Sequence, residues 1–283
     1  MTTVISGGFG ANGTSSGTEF MSMLPPPGDA LKEWDNTKPY DQQPASIPQI
    51  FKDAMSVREN VFGEQSVPLD AEFDEDDARS WHWVVYASVA STSRQNTDNA
   101  EINAQDTRRS SSATAQRLPV GTIRLVPPPH GPNKYVHGDK HPDAEPPAFV
   151  TDSVAKRHPN EPYIKLGRLA VLSDYRRMGL SNLLIKRCLD HTTQNPGLVC
   201  PPPSPTKLEK AIQQGHADAN CIHFRGLAMV HAQVSVMRLW KKHGFAEELY
   251  DGDGNVEISK EEHWMEEGIE HVGMWRRLNV TPR

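Results

Sequence analysis

The turn at residues 176–181 (RRMGLS) has the composition of an anion-binding site. It follows an apolar segment and precedes a helical pattern, so backbone N–H groups at the helix start would point into one concavity, where the helix dipole favours negative charge. Gly179 allows a phosphate to approach the backbone closely, and small Ser181 keeps the helix tight against the strand. An ordinary strand-to-helix turn with solvated arginines is the other interpretation. The predicted pyrophosphate-binding residues are Arg176, Arg177, Met178, Gly179, Leu180 and Ser181.

A histidine at the end of a strand-like segment is a candidate proton acceptor. His231 closes the largely apolar segment 222–231 (IHFRGLAMVH). An imidazole titrates near neutral pH, as a general base requires. A histidine at a strand end is more often a core or capping residue, so both interpretations stay open.

Arg58 is a charged residue on the apolar side of a predicted first helix. A charge in that position needs a partner, which Glu64, Glu72 or Asp74 could supply. Such a pair could build a pocket for an acceptor substrate or pin the helix to the following loop. The acidic run at residues 70–77 could likewise attract a cationic amine or be a solvated charge run.

No metal site is predicted. Four histidines lie among prolines without regular metal-ligand spacing, which favours a solvated loop over a zinc site. These residues are His130, His137, His141 and His158.

The elements that must position these residues follow from periodicity. Ser46 is a predicted N-cap with Gln49 at capping-box spacing, and apolar residues then recur at helical spacing to Phe62. Later segments predict strands, two helices and a C-terminal strand-like run (HVGMWRRL). The strands are at 81–89, 120–126, 163–172 and 222–231, and the helices at 179–193 and 233–243.

Three polar or proline-rich stretches interrupt this pattern and are predicted insertions, near residues 91–116, 127–162 and 195–220. Residues 1–45 are rich in Gly, Ser, Thr and Pro and predict a flexible N-terminal arm. Residues 46–283 then form one α/β domain.

The composition excludes several classes of protein. The net charge of −6 over 283 residues argues against non-specific nucleic-acid binding. No apolar run approaches the length of a membrane span, and the N-terminus lacks a signal-peptide pattern. Three cysteines without CxxC spacing favour a reduced, cytoplasmic protein.

The run LAVLSDYRRMGLS (residues 169–181) closely resembles motif A of the GNAT acetyltransferase superfamily. The second superfamily motif resembles QVSVMRLWKKHGF (residues 233–245). Three further blocks resemble the ElaA-like branch: RENVFGEQSVPLDAEFDEDD (58–77), HAQ (231–233) and EEGIEHVGM (266–274). The insertions and the N-terminal arm fall outside the resemblance.

The resemblance implies a GNAT-like mixed, mostly antiparallel sheet that is splayed at its fourth and fifth strands and flanked by helices. Acetyl-CoA would lie in that gap, with its pantetheine arm on the edge of the fourth strand. An amide near Leu169 or Ala170 would polarise the thioester carbonyl. The cofactor-binding residues implied beyond the turn are Leu169, Ala170, Val171, Gln233 and Trp240.

The implied activity is acetyl transfer from acetyl-CoA to a primary amine in a ternary complex, with His231 as the base. A small metabolite, such as an amino sugar or a polyamine, is favoured over a protein lysine or N-terminus. A non-catalytic acyl-CoA-binding module, a longer acyl chain and a homodimer stay open. Neither nucleic acid nor a membrane is an expected partner. The predicted substrate-binding residues are Arg58, Glu64, Gln65 and Asp74.

Trp240 stands where the superfamily has its usual acid, a tyrosine. An indole N–H cannot act as an acid near neutral pH. Either another group or water protonates the departing thiolate, or coenzyme A leaves as the thiolate. Trp240 also falls on an apolar helix face with Val236 and Leu239, so a core role is the alternative.

Overall fold

The computed structural model describes most of the predicted domain and part of the predicted arm. Residues 1–19, most of the first two predicted insertions and about half of the third lie outside the described residues. The described residues are 20–91, 114–130, 162–202, 204–206, 209 and 223–280.

A seven-stranded sheet organises this part of the chain, in the order β1-β2-β3-β4-β5-β9-β8, and β6 and β7 form a separate pair. Strands β4 and β5 are parallel, and the other pairs are antiparallel. The predicted mixed, mostly antiparallel α/β fold is confirmed. The strands are β1 (Met21–Leu24), β2 (Trp81–Ser91), β3 (Thr114–Val126), β4 (Tyr163–Val171), β5 (Leu227–Gln233), β6 (Leu249–Tyr250), β7 (Val256–Ile258), β8 (Trp264–Glu266) and β9 (Ile269–Arg277); the helices are α1 (Gln49–Gly63), α2 (Leu180–Gln194), α3 (Pro196–Val199) and α4 (Met237–Lys242).

The first predicted helix is confirmed as α1, but its predicted cap is wrong. The residue before the helix is Pro48, and no side chain caps the first turn. Ser46 instead donates its hydroxyl to Glu33 Oε2 at 2.6 Å. Proline has no N–H and a fixed φ, so it starts a helix without needing the predicted capping box.

Strand β1 lies inside the segment predicted as a flexible arm. It pairs with β2 from Met21 opposite Val85 to Leu24 opposite His82. Downstream, Trp34 stacks on Phe73 with ring centroids 5.6 Å apart. The sheet therefore begins upstream of residue 46.

The segment after α3 enters the sheet later than predicted. Strand β5 begins at Leu227 rather than at residue 222, after Gly226 with φ +89°. A Cβ on Gly226 would lie 2.2 Å from the Leu278 carbonyl oxygen, so only glycine fits this close approach. The following predicted helix is a 3-10 turn (Val234–Val236) and then α4.

Two helices cover opposite faces of the sheet. Val57 and Val61 of α1 pack against Ala170 on one face. Leu184 and Ile185 of α2 join the main core on the other face, with Leu166 and other strand residues. The predicted helix at 179–193 is confirmed as α2, and both helices meet the sheet beside the diverging ends of β4 and β5.

Candidate active site

A cavity of about 540 Å³ lies where β4 and β5 separate. The two strands pair in register from Tyr163 opposite Leu227 to Leu166 opposite Val230, and beyond that point no pairing joins them in the described chain. The cavity follows β4 from Lys165 towards the start of α2. Its wall includes the predicted residues Gln65, Asp74, Leu169, Ala170, Val171, Arg176, Ser181, His231, Gln233 and Trp240.

A β-bulge in β4 shapes this cavity. Between the pairs Thr122–Ala170 and Arg124–Gly167, β4 has one more residue than β3. Arg168 takes up the extra length with a φ of +51°, an uncommon value for a non-glycine residue. A bulge of this kind breaks the ladder locally and bends the strand, which exposes backbone groups near Leu169.

The predicted anion-binding turn has left-handed residues on both sides of Met178. Arg177 has φ +63° and Gly179, immediately before α2, has φ +82°. Such a turn directs successive backbone N–H groups into one concavity at a helix start. A Cβ on Gly179 would meet no atom within 4 Å, so the space in front of the turn is open.

Arg176 fixes the turn to the neighbouring elements. Its Nε donates to the Val171 carbonyl oxygen at 3.1 Å, and its Nη2 lies 3.5 Å from Glu64 Oε2. Glu64 therefore contacts the predicted phosphate site and is absent from the cavity wall that the structure describes.

His231 lies on β5 opposite Gly273 of β9 and contributes to the cavity wall. Its ring packs edge-on against Trp264, with centroids 4.8 Å apart. The packed ring fits the interpretation of His231 as a core residue, and its place in the cavity wall fits the interpretation as a proton acceptor.

Gln65 and Gln233 join two sides of the cavity. The Gln233 Nε2 group donates to Gln65 Oε1 at 2.7 Å. This bond ties the end of β5 to the segment that follows α1. It brings together one predicted cofactor-binding residue and one predicted substrate-binding residue.

Arg58 is buried away from the cavity, at 1% exposure. Its Nη1 donates to Asp77 Oδ1 at 2.7 Å, and its Nε donates to Glu72 Oε2 at 3.3 Å. Of the three expected partners only Glu72 forms this contact, and Asp77 was missed. Because Arg58 does not line the cavity, this geometry fits the alternative in which it pins α1 to the acidic loop.

The ion pairs continue from Arg58 to the cavity wall. Arg124 Nη1 lies 2.8 Å from Asp77 Oδ1 and 2.6 Å from Asp74 Oδ1. Arg168 Nη2 lies 3.0 Å from Asp74 Oδ2. Three arginines thus face three carboxylates, counting Glu72, and the formal charges of this arginine–carboxylate network cancel.

The network lowers the pKa of its carboxyl groups. Burial alone would raise the pKa of Asp74, but the neighbouring Arg124 guanidinium outweighs burial and brings it to about 2. Burial of Asp77 is likewise outweighed by Arg124 and Arg58, which hold its pKa far below the usual range. Asp74 therefore enters the cavity as a carboxylate already paired with two arginines.

Trp240 has both expected environments. It is 2% exposed and packs edge-on against Phe245, with ring centroids 5.3 Å apart. It also contributes to the cavity wall. The burial of Trp240 supports a packing role. Its position in the cavity wall also keeps it next to the proposed site.

Lys165 is a cavity residue that the sequence reasoning missed. It lies on β4 between the buried residues Ile164 and Leu166. Burial lowers the pKa of its ammonium group, although the Glu266 carboxylate opposes this. A lysine between two apolar residues of a predicted buried strand was the available signal.

The described ranges contain neither a metal-binding cluster nor a helix that could span a membrane. No group of three or more His, Cys, Asp or Glu residues there could hold a metal ion. His130 binds the Tyr163 carbonyl oxygen at 2.9 Å through Nε2, and the other three histidines of the proline-rich stretch lie outside the described residues. No helix in that part of the chain is long and apolar enough to cross a membrane.

Solved structures similar to this chain include Escherichia coli ElaA, at 14% identity and a TM-score of 0.39, and an acyl-CoA N-acyltransferase from Pseudomonas aeruginosa, at 16% and 0.37. Each alignment covers 84% of this chain and 95% of the other. The name ElaA is also that of the branch that the sequence blocks at 58–77, 231–233 and 266–274 resemble. No protein-family model and no curated protein matches the chain.

Proposed function

We propose that this chain is an N-acetyltransferase that moves the acetyl group of acetyl-CoA to a primary amine by direct transfer in a ternary complex. The observation that carries the proposal is one cavity that runs from Arg176 and Ser181, on either side of the left-handed turn before α2, along the bulged edge of β4, to the ionisable side chains of Lys165 and His231. One site can thus hold a long anionic thioester and a second substrate.

The donor is proposed to bind through backbone groups. Its pyrophosphate would accept hydrogen bonds from N–H groups of residues 177–181, next to the positive end of α2. Its pantetheine arm would pair with the exposed edge at residues 169–171, as an added strand does. Gln233 and Trp240 would line the space beside the thioester.

The transfer needs a neutral amine and stabilisation of the developing oxyanion. We assign His231 as the base that takes the amine proton, because it belongs to the cavity wall and an imidazole nitrogen can accept a proton from an amine. A backbone N–H near Leu169, at the bulge, would donate to the carbonyl oxygen. The amine nitrogen then bonds to the acetyl carbon as the carbon–sulfur bond breaks.

The leaving group needs no protein acid in this scheme. The indole of Trp240 cannot donate a proton near neutral pH, and its burial against Phe245 favours a packing role. Coenzyme A is therefore proposed to leave as the thiolate and to take a proton from solvent.

The proposed acceptor is a small metabolite with a primary amine, such as an amino sugar or a polyamine. The cavity volume fits a ligand of this size beside the donor arm. Asp74 is already paired with Arg124 and Arg168, and Asp76 with Arg79, which leaves Glu266 as the carboxylate in the wall best able to attract an ammonium group.

The test is a coenzyme A release assay on the full chain, with acetyl-CoA and a panel of amino sugars, polyamines, amino acids and lysine peptides. We expect amine-dependent release with at least one small amine and little with the peptides. Faster turnover on the peptides would instead assign a protein acceptor.

A non-catalytic acyl-CoA-binding module is the second candidate, favoured by the tryptophan at position 240. Calorimetry measures acetyl-CoA binding, and the coenzyme A release assay measures turnover, so the two measurements together distinguish the module from the enzyme. Tight acetyl-CoA binding without turnover on any amine would support the module and reject the enzyme.

A further inference from the structure

Lys165 differs from the other cations in the cavity wall. Arg124 and Arg168 are held by carboxylates of the arginine–carboxylate network. Among the described residues, the Lys165 ammonium forms no ion pair or hydrogen bond. Its side chain is therefore not committed to holding the fold together.

Lys165 shares a sheet face with His231. Lys165 pairs with Met229 in the parallel ladder, and His231 follows two residues later on β5. Residues two apart on a strand point to the same face. The two side chains therefore lie on the same face of the sheet, at the point where β4 and β5 separate.

Charged and titratable groups face this corner of the cavity from every surrounding element. They set how easily Lys165 loses its proton. Burial favours the neutral amine, Arg124 acts in the same direction, and the carboxylates oppose them. The groups are Asp74 and Asp76 on the acidic loop, Arg124 on β3, His231 on β5, Glu266 on β8 and His271 on β9.

We propose that Lys165 is a self-acylation site, whose ε-amine takes the acyl group of the bound acyl-CoA when no acceptor amine is present. This rests on the proposed donor site. A desolvated lysine amine is a competent nucleophile. The cavity joins Lys165 to the β4 edge at residues 169–171, along which the thioester arm would lie.

The step balances without another reactant. The Lys165 Nζ lone pair attacks the thioester carbonyl carbon, a carbon–nitrogen bond forms and the carbon–sulfur bond breaks. Coenzyme A leaves as the thiolate, and the proton lost from Nζ passes to that thiolate or to solvent. The product is a neutral amide that fills part of the acceptor space.

The experiment incubates the full chain with acetyl-CoA and no amine, then measures intact mass and maps the modified peptide. We expect one acetyl group per chain, on Lys165, with stoichiometric release of coenzyme A. The rate should rise with pH, because the neutral fraction of the amine increases. The modified protein should still bind coenzyme A but lose amine-dependent turnover.

Three variants make this test specific. Lys165→Arg keeps the positive charge and should show no acetylation in the cavity. Lys186→Arg, at an exposed lysine of α2, should be acetylated like the wild type. Gly179→Glu, which blocks the donor turn, should lose the modification of Lys165 while any slow chemical acetylation of surface lysines remains.

The failures can be told apart. Acetyl-CoA binding and amine-dependent turnover without a label on Lys165 would overturn the self-acylation proposal alone. Equal labelling of Lys165 in the wild type and in Gly179→Glu would also overturn it, because the acyl group would come from solution. Absence of acetyl-CoA binding by calorimetry would overturn both this proposal and the proposed function.

Discussion

Gln233 at the end of β5 donates a hydrogen bond of 2.7 Å to Gln65, which is 168 positions earlier in the chain. The bond closes one side of the cavity, because both residues belong to its wall. The bond joins two uncharged side chains. Its contribution to the free energy of unfolding can therefore be measured by removing each partner in turn.

A double-mutant cycle of Gln65→Ala and Gln233→Ala should give a coupling free energy of about 0.5–1.5 kcal/mol in urea unfolding. Each single variant should also weaken acetyl-CoA or acceptor binding, because the wall loses a fixed element. Gln49→Ala, at an exposed side-chain pair of α1, is the matched control. Additive effects of the two cavity variants would show that the bond contributes nothing.

Gly179→Glu should abolish acetyl-CoA binding. The new carboxylate would extend into the open space before α2 and repel the pyrophosphate. Gly254→Glu is the control, because Gly254 also has positive φ (+85°) and open space around it but lies in the turn between β6 and β7. Calorimetry should show binding in the control alone, and unchanged affinity in Gly179→Glu would reject the donor site.

His231→Ala should lower kcat by about a hundredfold if the imidazole takes the amine proton. Acetyl-CoA affinity should stay close to that of the wild type, because the donor is held by the turn and the β4 edge. His223→Ala changes an exposed histidine before β5 and should leave kcat unaltered. A loss below about threefold in His231→Ala would assign the ring to packing against Trp264.

Arg58→Met should lower the free energy of unfolding by about 3–5 kcal/mol, because Glu72 would stay buried without its cation and Asp77 would keep only Arg124. Urea denaturation near pH 7 measures this. Lys32→Met removes an exposed pair with Asp29 and should change stability little. A loss below about 1 kcal/mol in Arg58→Met would show that the remaining arginines compensate.

The same network predicts the acid limit of the fold. The pKa of Asp74 is lowered to about 2 in the folded chain, against about 3.9 when unfolded. A depressed carboxyl pKa contributes stability above the unfolded value and loses it as pH falls through the folded value. Stability should therefore decline between about pH 4 and pH 2, and less steeply in Arg58→Met.

Local pattern was enough to predict the strand–turn–helix unit that holds the turn at Gly179. Its apolar strand, its glycine and the stripe of α2 are all contiguous in the sequence, and tertiary packing agrees with them. Strand β1 could not be predicted in this way. It has four residues in a segment rich in glycine and proline, and only pairing with β2 makes it a strand.

Partner choice among charged residues was harder to predict. The position of Arg58 on the apolar side of the helix implied a partner, but residues 70–77 of the following loop include six acidic residues. Asp77 is selected because it begins the 3-10 turn that leads into β2, a relationship set by tertiary packing. Lys165 was missed because it lines a cavity only where the pairing between β4 and β5 ends, and that position is also set by tertiary packing.

The bulge at Arg168 also determines what changes of length β4 tolerates. Upstream of it, Ile164 and Leu166 face α2, whereas Ala170 downstream packs against α1. Regular alternation would place all three on one face. A deletion or insertion of one residue between residues 166 and 170 would therefore move core side chains to the cavity face, and cavity side chains to the core, on one side of the change. We expect homologues of this chain to differ here by substitution and to keep the number of residues between positions 166 and 170.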